Sequence, residues 1–152
     1  MVRDEGSGPA RPRGAGPRRR CRGGGVGTGL LALIGLAGDD GPGDVAYMAA
    51  KIRDLRVFED ADGKMNLALS EVGGAILAVS QITLYGDCRR GRRPSFDRAA
   101  GPDAGRLLFD AVVGELRAGG ARVETGTYQA HMRVELVNDG PVTILLDSRK
   151  EF

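Results

Sequence analysis

The residues able to do chemistry in this chain lie in two short stretches, Ser80-Gln81-Ile82-Thr83-Leu84 and Asn138-Asp139-Gly140-Pro141-Val142-Thr143. The hydroxyls of Ser80 and Thr83 are candidate nucleophiles, but a nucleophilic hydroxyl needs a base within reach. The single imidazole, His131, stands beside Met132 at the start of a strand pattern. A surface or strand-edge role suits it better than catalysis. Metal-assisted hydrolysis lacks ligands: there is one His, and Cys21 and Cys88 are far apart with no CxxC. Asp60 and Asp62 precede Gly63, but the calcium-loop spacing is not completed, so a plain turn is the expectation. A GxxxxGK[ST] phosphate loop is absent as well.

Each stretch also has a simpler reading. Ser80, Gln81 and Thr83 interrupt the apolar run Ala75-Ile76-Leu77-Ala78-Val79, where buried polar groups must find partners. They form either a site or the rim of a sheet with hydroxyls satisfied by backbone. Asn138 to Pro141 has the composition of an ordinary turn. Its Gly-Pro bond carries only the baseline cis frequency of about 5–6%.

The elements that must position these residues follow from periodicity. Leu30 to Leu36 is a short apolar run consistent with a buried strand. Asp39 to Asp44 supplies turn and capping residues, and Val45, Met48, Ala49, Ile52 and Leu55 recur at helical spacing. Arg56 to Glu59 and Met65 to Leu69 read as paired strands around the Asp60–Gly63 turn. Ala75 to Tyr85 reads as the strongest strand, and residues 86–95 as a basic loop. A helix is expected from about Asp103 to Ala118 through Leu107, Leu108, Ala111, Val112 and Leu116, ended by Gly119-Gly120. Arg122–Glu124, Met132–Val137 and Val142–Leu146 complete the strands. The fold class is therefore mixed α/β, with mostly antiparallel sheets and two main helices.

Charge divides the chain. Residues 1–29 hold nine Gly, seven Arg and three Pro against Asp4 and Glu5, a balance of +5. The whole chain is +2, which leaves −3 for residues 30–152. Basicity thus belongs to the arm, and nucleic-acid binding does not follow from overall charge. Residues 1–29 bury too little apolar surface to offset chain entropy, so a poorly ordered arm is expected. It reads as a solvated tail, a mis-assigned gene start, or a non-specific contact to RNA phosphates. Ordered structure is expected from Leu30 and one domain over 30–152. The longest apolar run, Leu30 to Ala37, is too short to span a membrane, and the basic N-terminus lacks an apolar signal core. A cytoplasmic, soluble protein with reduced thiols is the expectation.

Several motifs in one order carry a resemblance. Phe58-Glu59-Asp60 precedes Gly63-Lys64-Met65-Asn66, and Ser-Gln-x-Thr-Leu-Tyr follows at 80–85. Gly91-x-Arg93-Pro94-Ser95-Phe96, Met132 and Leu136-Val137-Asn138-Asp139-Gly140-Pro141-Val142-Thr143 complete the set. Over residues 30–149 the chain resembles the D-aminoacyl-tRNA deacylases.

That resemblance implies a homodimeric hydrolase acting on the ester between tRNA and a D-amino acid or glycine, a proofreading activity of translation. It implies no metal, no other cofactor and no membrane partner. The Gly140-Pro141 peptide would be cis and would enter the partner subunit's pocket, where its carbonyls exclude L side chains. Ser80, Gln81, Ile82 and Thr83 would form the facing wall and present amides to the oxyanion. Thr83 would position substrate, with the terminal ribose 2′-OH assisting the reaction. Tyr128, Met132 and Ala99 would line the adenosine pocket, and Arg89, Arg90, Arg92 and Arg93 would meet tRNA phosphates. Two departures stand out. Ile82 replaces the family's Phe, and residues 1–29 show none of the alternation of the family's N-terminal hairpin. These departures motivate the alternatives of a non-catalytic RNA-binding relative or a damaged copy.

Overall fold

The computed structural model describes residues 2–3 and 24–151. Its centre is a three-stranded sheet in the order β2-β5-β6, formed by β2 (Gly29–Ile34), β5 (Ala75–Ser80) and β6 (Val123–Thr125). Both pairings are parallel, with Leu30 opposite Ile76, Ile34 opposite Ser80 and Ile76 opposite Val123. Parallel neighbours require crossovers, and each crossover carries a helix. Helix α1 (Pro42–Asp54) lies between β2 and β5, and α2 (Pro102–Ala118) between β5 and β6. The mixed α/β class with two helices is as expected. Among the described residues the antiparallel pairing expected with it is found in the two smaller sheets, β3 (Phe58–Glu59) with β4 (Met65–Leu67) and β1 (Val2–Arg3) with β7 (Arg133–Val134), while the central sheet is parallel.

Strand β5 is central, and Ala75 through Val79 are all buried. A continuous apolar run is what a parallel strand covered on both faces demands. Alternation sorts its side chains. Ile76 and Ala78 join the helix-side core with Val45, Ala49, Ile52, Phe109, Val112 and Leu116. Leu77 and Val79 face the other way, onto Val26, Leu31, Met132 and Val134.

Both helices start with Pro in the first turn after a glycine N-cap, where the missing N–H costs nothing. The Asp44 carboxylate accepts the Gly41 amide at 2.9 Å and is held below its usual pKa mainly by that bond. Along α2 the buried face is Gly105, Phe109, Val112, Val113 and Leu116. Leu107, expected on that face, is 73% exposed because it falls one position out of phase.

Packed structure begins earlier than Leu30. The Gly24 amide donates to the Thr125 carbonyl at 3.0 Å, and Val26 packs on Leu77 and Val79. Most of the expected arm, residues 4–23, lies outside the described residues. Three strand expectations are also corrected. The strand from Ala75 ends at Ser80 instead of Tyr85, that from Met132 shrinks to Arg133–Val134, and Val142–Leu146 has no ladder. Among the described residues no helix is long and apolar enough to cross a membrane.

Leu116 is fully buried where α2 meets the sheet. Leu116→Ala should cost about 2–5 kcal/mol, a large share of the total stability of an ordinary domain. Urea denaturation checks this, with a lower midpoint expected at an unchanged slope.

Candidate active site

The site grows from the end of β5. The Gln81 amide donates to the Ile34 carbonyl at 2.8 Å, consuming the last acceptor that β2 offers along this ladder. The chain then turns into a 3₁₀ helix over Ile82–Tyr85. This is why the strand stops five residues early. Gly35 permits the turn to lie across β2: a Cβ there would meet the Leu84 Cβ and the Tyr85 ring at 3.1 Å. The Leu84 amide bonds the Gln81 carbonyl at 3.3 Å, and the Gly86 amide bonds that of Thr83 at 3.1 Å. The first two amides of the turn, Ile82 and Thr83, have no acceptor within it. The Gln81 side-chain amide donates to Thr83 Oγ1, so the hydroxyl is held by a neutral donor. Ile82 itself is 54% exposed.

A cavity of about 510 Å³ opens beside this turn. It is lined by Val79 through Ile82 from the end of β5, by Ala100 and Pro102, and by Tyr128 through Met132. Tyr128 is fixed from three sides. Its hydroxyl donates to the Pro102 carbonyl at 3.1 Å, its ring centroid lies 6.1 Å from that of Phe109, and the Arg106 guanidinium sits 5.6 Å from it. Met132 is half-buried and packs on the Leu77–Val79 cluster, so it serves both core and pocket.

The structure therefore joins Ser80, Gln81, Ile82, Tyr128 and Met132, which are scattered in sequence. Thr83 adjoins this wall without lining the cavity. Ala99 also stays outside, because it forms a bridge with Ala37 while Ala100 turns inward. His131, expected at a surface or strand edge, is exposed just before β7 and borders the cavity. Sequence reading missed Pro102, Gln129 and Ala130 as lining residues. Gln129 has a φ of 59°, a local conformation that no motif announced.

Gly140 and Pro141 are joined by a cis peptide bond. Asn138 folds the loop around them: its Oδ1 accepts the Val142 amide at 3.1 Å and its Nδ2 donates to Thr143 Oγ1 at 3.2 Å. Within one chain this loop does not reach the Ser80 wall. Gly140 borders a separate groove of about 1830 Å³ between the C-terminal segment, β2 and α1.

In the basic loop, Arg89 is committed locally. Its guanidinium holds the Asp87 carboxylate at 2.9 and 2.5 Å and keeps that acid far below its usual pKa. Arg90, Arg92 and Arg93 are exposed. Burial, then the nearby Asp40 charge, raises the pKa of Tyr85. The Asp60 carboxylate accepts the Asp62 and Lys64 amides at 2.9 and 3.0 Å, which is the expected turn. Among the described residues no three His, Cys, Asp or Glu are grouped to hold a metal ion. Cys88 is a free, exposed thiol, whereas Cys21 lies outside the described residues.

Comparison with known proteins gives the family. A family model described as D-Tyr-tRNA(Tyr) deacylase matches residues 20–147. A D-aminoacyl-tRNA deacylase from Anaeromyxobacter dehalogenans is 62% identical over 129 residues, 85% of this chain and 87% of the relative. One from Koribacter versatilis is 58% identical over the same shares. Among solved structures, a c-Myc DNA unwinding element binding protein is 34% identical with a TM-score of 0.75, covering 81% of this chain and 84% of its own. A probable eukaryotic D-amino acid tRNA deacylase, at 19% identity and a TM-score of 0.59 over 76% of this chain and 81% of its own, shares the fold.

Gly105 tests how tightly the pocket is set. A Cβ there would lie 2.6 Å from the Tyr128 hydroxyl oxygen. Gly105→Ala gains about 1 kcal/mol of helix propensity and loses a hydrogen bond of similar worth. The expected outcome is a nearly unchanged melting temperature with Tyr128 pushed into the cavity. Calorimetry and a crystal structure of the variant check both halves.

Proposed function

The chain belongs to the D-Tyr-tRNA(Tyr) deacylase family, and on that premise we propose that it hydrolyses the ester joining a D-amino acid to the 3′ end of tRNA. It is then an ester hydrolase of translational proofreading. We assign the activity to the packed unit that Gly24 and Val26 join ahead of Leu30. The observation that carries this reading is the cavity that Ser80, Gln81 and Ile82 line together with Tyr128 and Met132.

We assign the roles as the family resemblance implies them. The terminal adenosine lies between Tyr128 and Met132, near the corner made by Ala99 and Ala100. The ester carbonyl meets the Ile82 and Thr83 amides, whose lack of a partner within their own turn suits a developing oxyanion. Water adds to the ester carbon, the ester C–O bond breaks, and the ribose oxygen leaves as a hydroxyl. The Thr83 hydroxyl is held by the neutral Gln81 side-chain amide instead of a base. We therefore assign it to positioning, with the substrate's 2′-OH supplying the assistance that no side chain gives.

Gly140 and Pro141 stand apart from the wall in their own chain, which favours a homodimer in which each loop enters the other subunit's pocket. Their carbonyls would reject an L side chain by contact and leave D residues room. A site selecting by exclusion cannot refuse glycine, so glycyl-tRNA is also a substrate. Arg90, Arg92 and Arg93 are the side chains best exposed to meet tRNA phosphates. The Arg/Gly-rich residues 1–29 favour a second reading, RNA binding without turnover.

A deacylation assay with D-Tyr-tRNA and L-Tyr-tRNA separates these. We expect the D ester to be cleaved at least about 100-fold faster, the order a steric sieve provides. Equal rates, or binding with no turnover, would refute the enzyme reading. Thr83→Val should lose about tenfold or less in kcat, whereas loss of a true nucleophile costs about 10⁶-fold.

A further inference from the structure

We propose that Arg149, together with Asp39, Asp40 and the Arg98–Glu151 pair, forms a positioning clasp that fixes how the Gly140–Pro141 loop leaves the body of the domain. The inference rests on the deacylase reading for its effect on selectivity. Its geometry stands independently.

The segment carrying that loop is exposed along much of its length. Among the described residues no strand ladder follows Val134, and Val137 and Leu145 are 93% and 71% exposed. Leu146 is the first downstream residue packed against the core. Immediately beyond it the chain tightens. The Asp147 carboxylate accepts the Arg149 amide at 3.2 Å and the Glu151 amide at 2.7 Å, and the Lys150 amide returns to the Asp147 carbonyl at 3.4 Å.

This turn delivers two charged side chains to the corner between β2 and α1. Arg149 bonds both oxygens of Asp39, at 2.8 and 2.7 Å, and Asp40 Oδ1 at 2.9 Å. Glu151 receives both guanidinium nitrogens of Arg98, at 3.0 and 2.8 Å. The corner itself is rigid, because Asp40 also accepts the Ala37 amide at 2.7 Å and the Gly38 amide bonds the Arg98 carbonyl at 3.1 Å.

An isolated surface ion pair would hold little. Here a planar fork is shared between two carboxylates, one of them only 11% exposed, and that geometry gives direction as well as attraction. The same network reaches the other stretch. The Arg98 guanidinium lies 5.9 Å from the Tyr85 ring centroid, at the end of the turn that begins after Gln81. One corner thus references both the selecting loop and the substrate wall.

Hydrogen exchange read by mass spectrometry, alongside D- and L-Tyr-tRNA kinetics, tests the clasp on full-length Arg149→Gln, Arg149→Lys and Asp39→Asn. Arg149→Gln should speed exchange across 142–151, where the Val142, Arg149, Lys150 and Glu151 amides are bonded, by about tenfold while β5 is unchanged, the signature of local release. Arg149→Lys, which keeps charge without the fork, should recover only part of that protection. The D/L preference should fall chiefly because L-Tyr-tRNA is admitted. Asp39, 74% exposed, gives a variant whose fold is not at risk. Unchanged exchange at 142–151 in both Arg149→Gln and Asp39→Asn overturns the proposal, as does equal acceleration throughout β5. Should the wild type cleave neither ester, the deacylase reading fails, and exchange alone still decides the clasp.

Discussion

The hydrogen bond from the Gln81 amide to the Ile34 carbonyl is the constraint on which the site depends. It is the last rung of a parallel ladder whose inner strand is buried on both faces. Register in such a strand is strongly specified, because a slip of one residue would exchange Ile76 and Ala78 with Leu77 and Val79 across two different cores. Position 81 is therefore fixed by burial at 75–79. The amides that follow it inherit that precision without any side chain having to choose a rotamer.

The same logic explains a hydrolase site with so little acid–base equipment. In the proposed site a wall of backbone groups and small hydroxyls would select shape and stabilise charge, but it moves no proton by itself. The strongly shifted ionisable groups lie elsewhere, in the Arg149–Asp39 and Arg89–Asp87 pairs, where charge holds loops in place. Fold and electrostatics divide the work. Apolar burial sets the substrate wall, and charge pairing directs the more exposed C-terminal segment.

Much of this was legible in the sequence, for reasons that differ from element to element. Helical spacing at Val45, Ala49 and Ile52 located α1, and the run Ala75–Val79 located the central strand. Direction of pairing was not legible, since an apolar run reads alike whether its neighbour is parallel or antiparallel. The strand end was missed because Leu84 and Tyr85 continue an apolar pattern, while the acceptor that ends the ladder belongs to Ile34, nearly fifty residues away. The bridge from Ala99 to Ala37, which leaves Ala100 to line the cavity, is likewise a long-range contact with no local signal. The cis Gly140–Pro141 bond followed from family resemblance alone. The Arg149 clasp joins residues about 110 apart and left no trace in periodicity.

The central claim is that the Ser80–Thr83 wall of one copy and the Gly140–Pro141 loop of another make one site. A crystal structure with a non-hydrolysable D-tyrosyl-3′-aminoadenosine tests it most directly. The account predicts adenosine between Tyr128 and Met132, with the tyrosyl group between that wall and a second copy's Gly140 and Pro141. Ligand seated in the larger groove, or bound at the wall with no second copy beside it, would contradict the account.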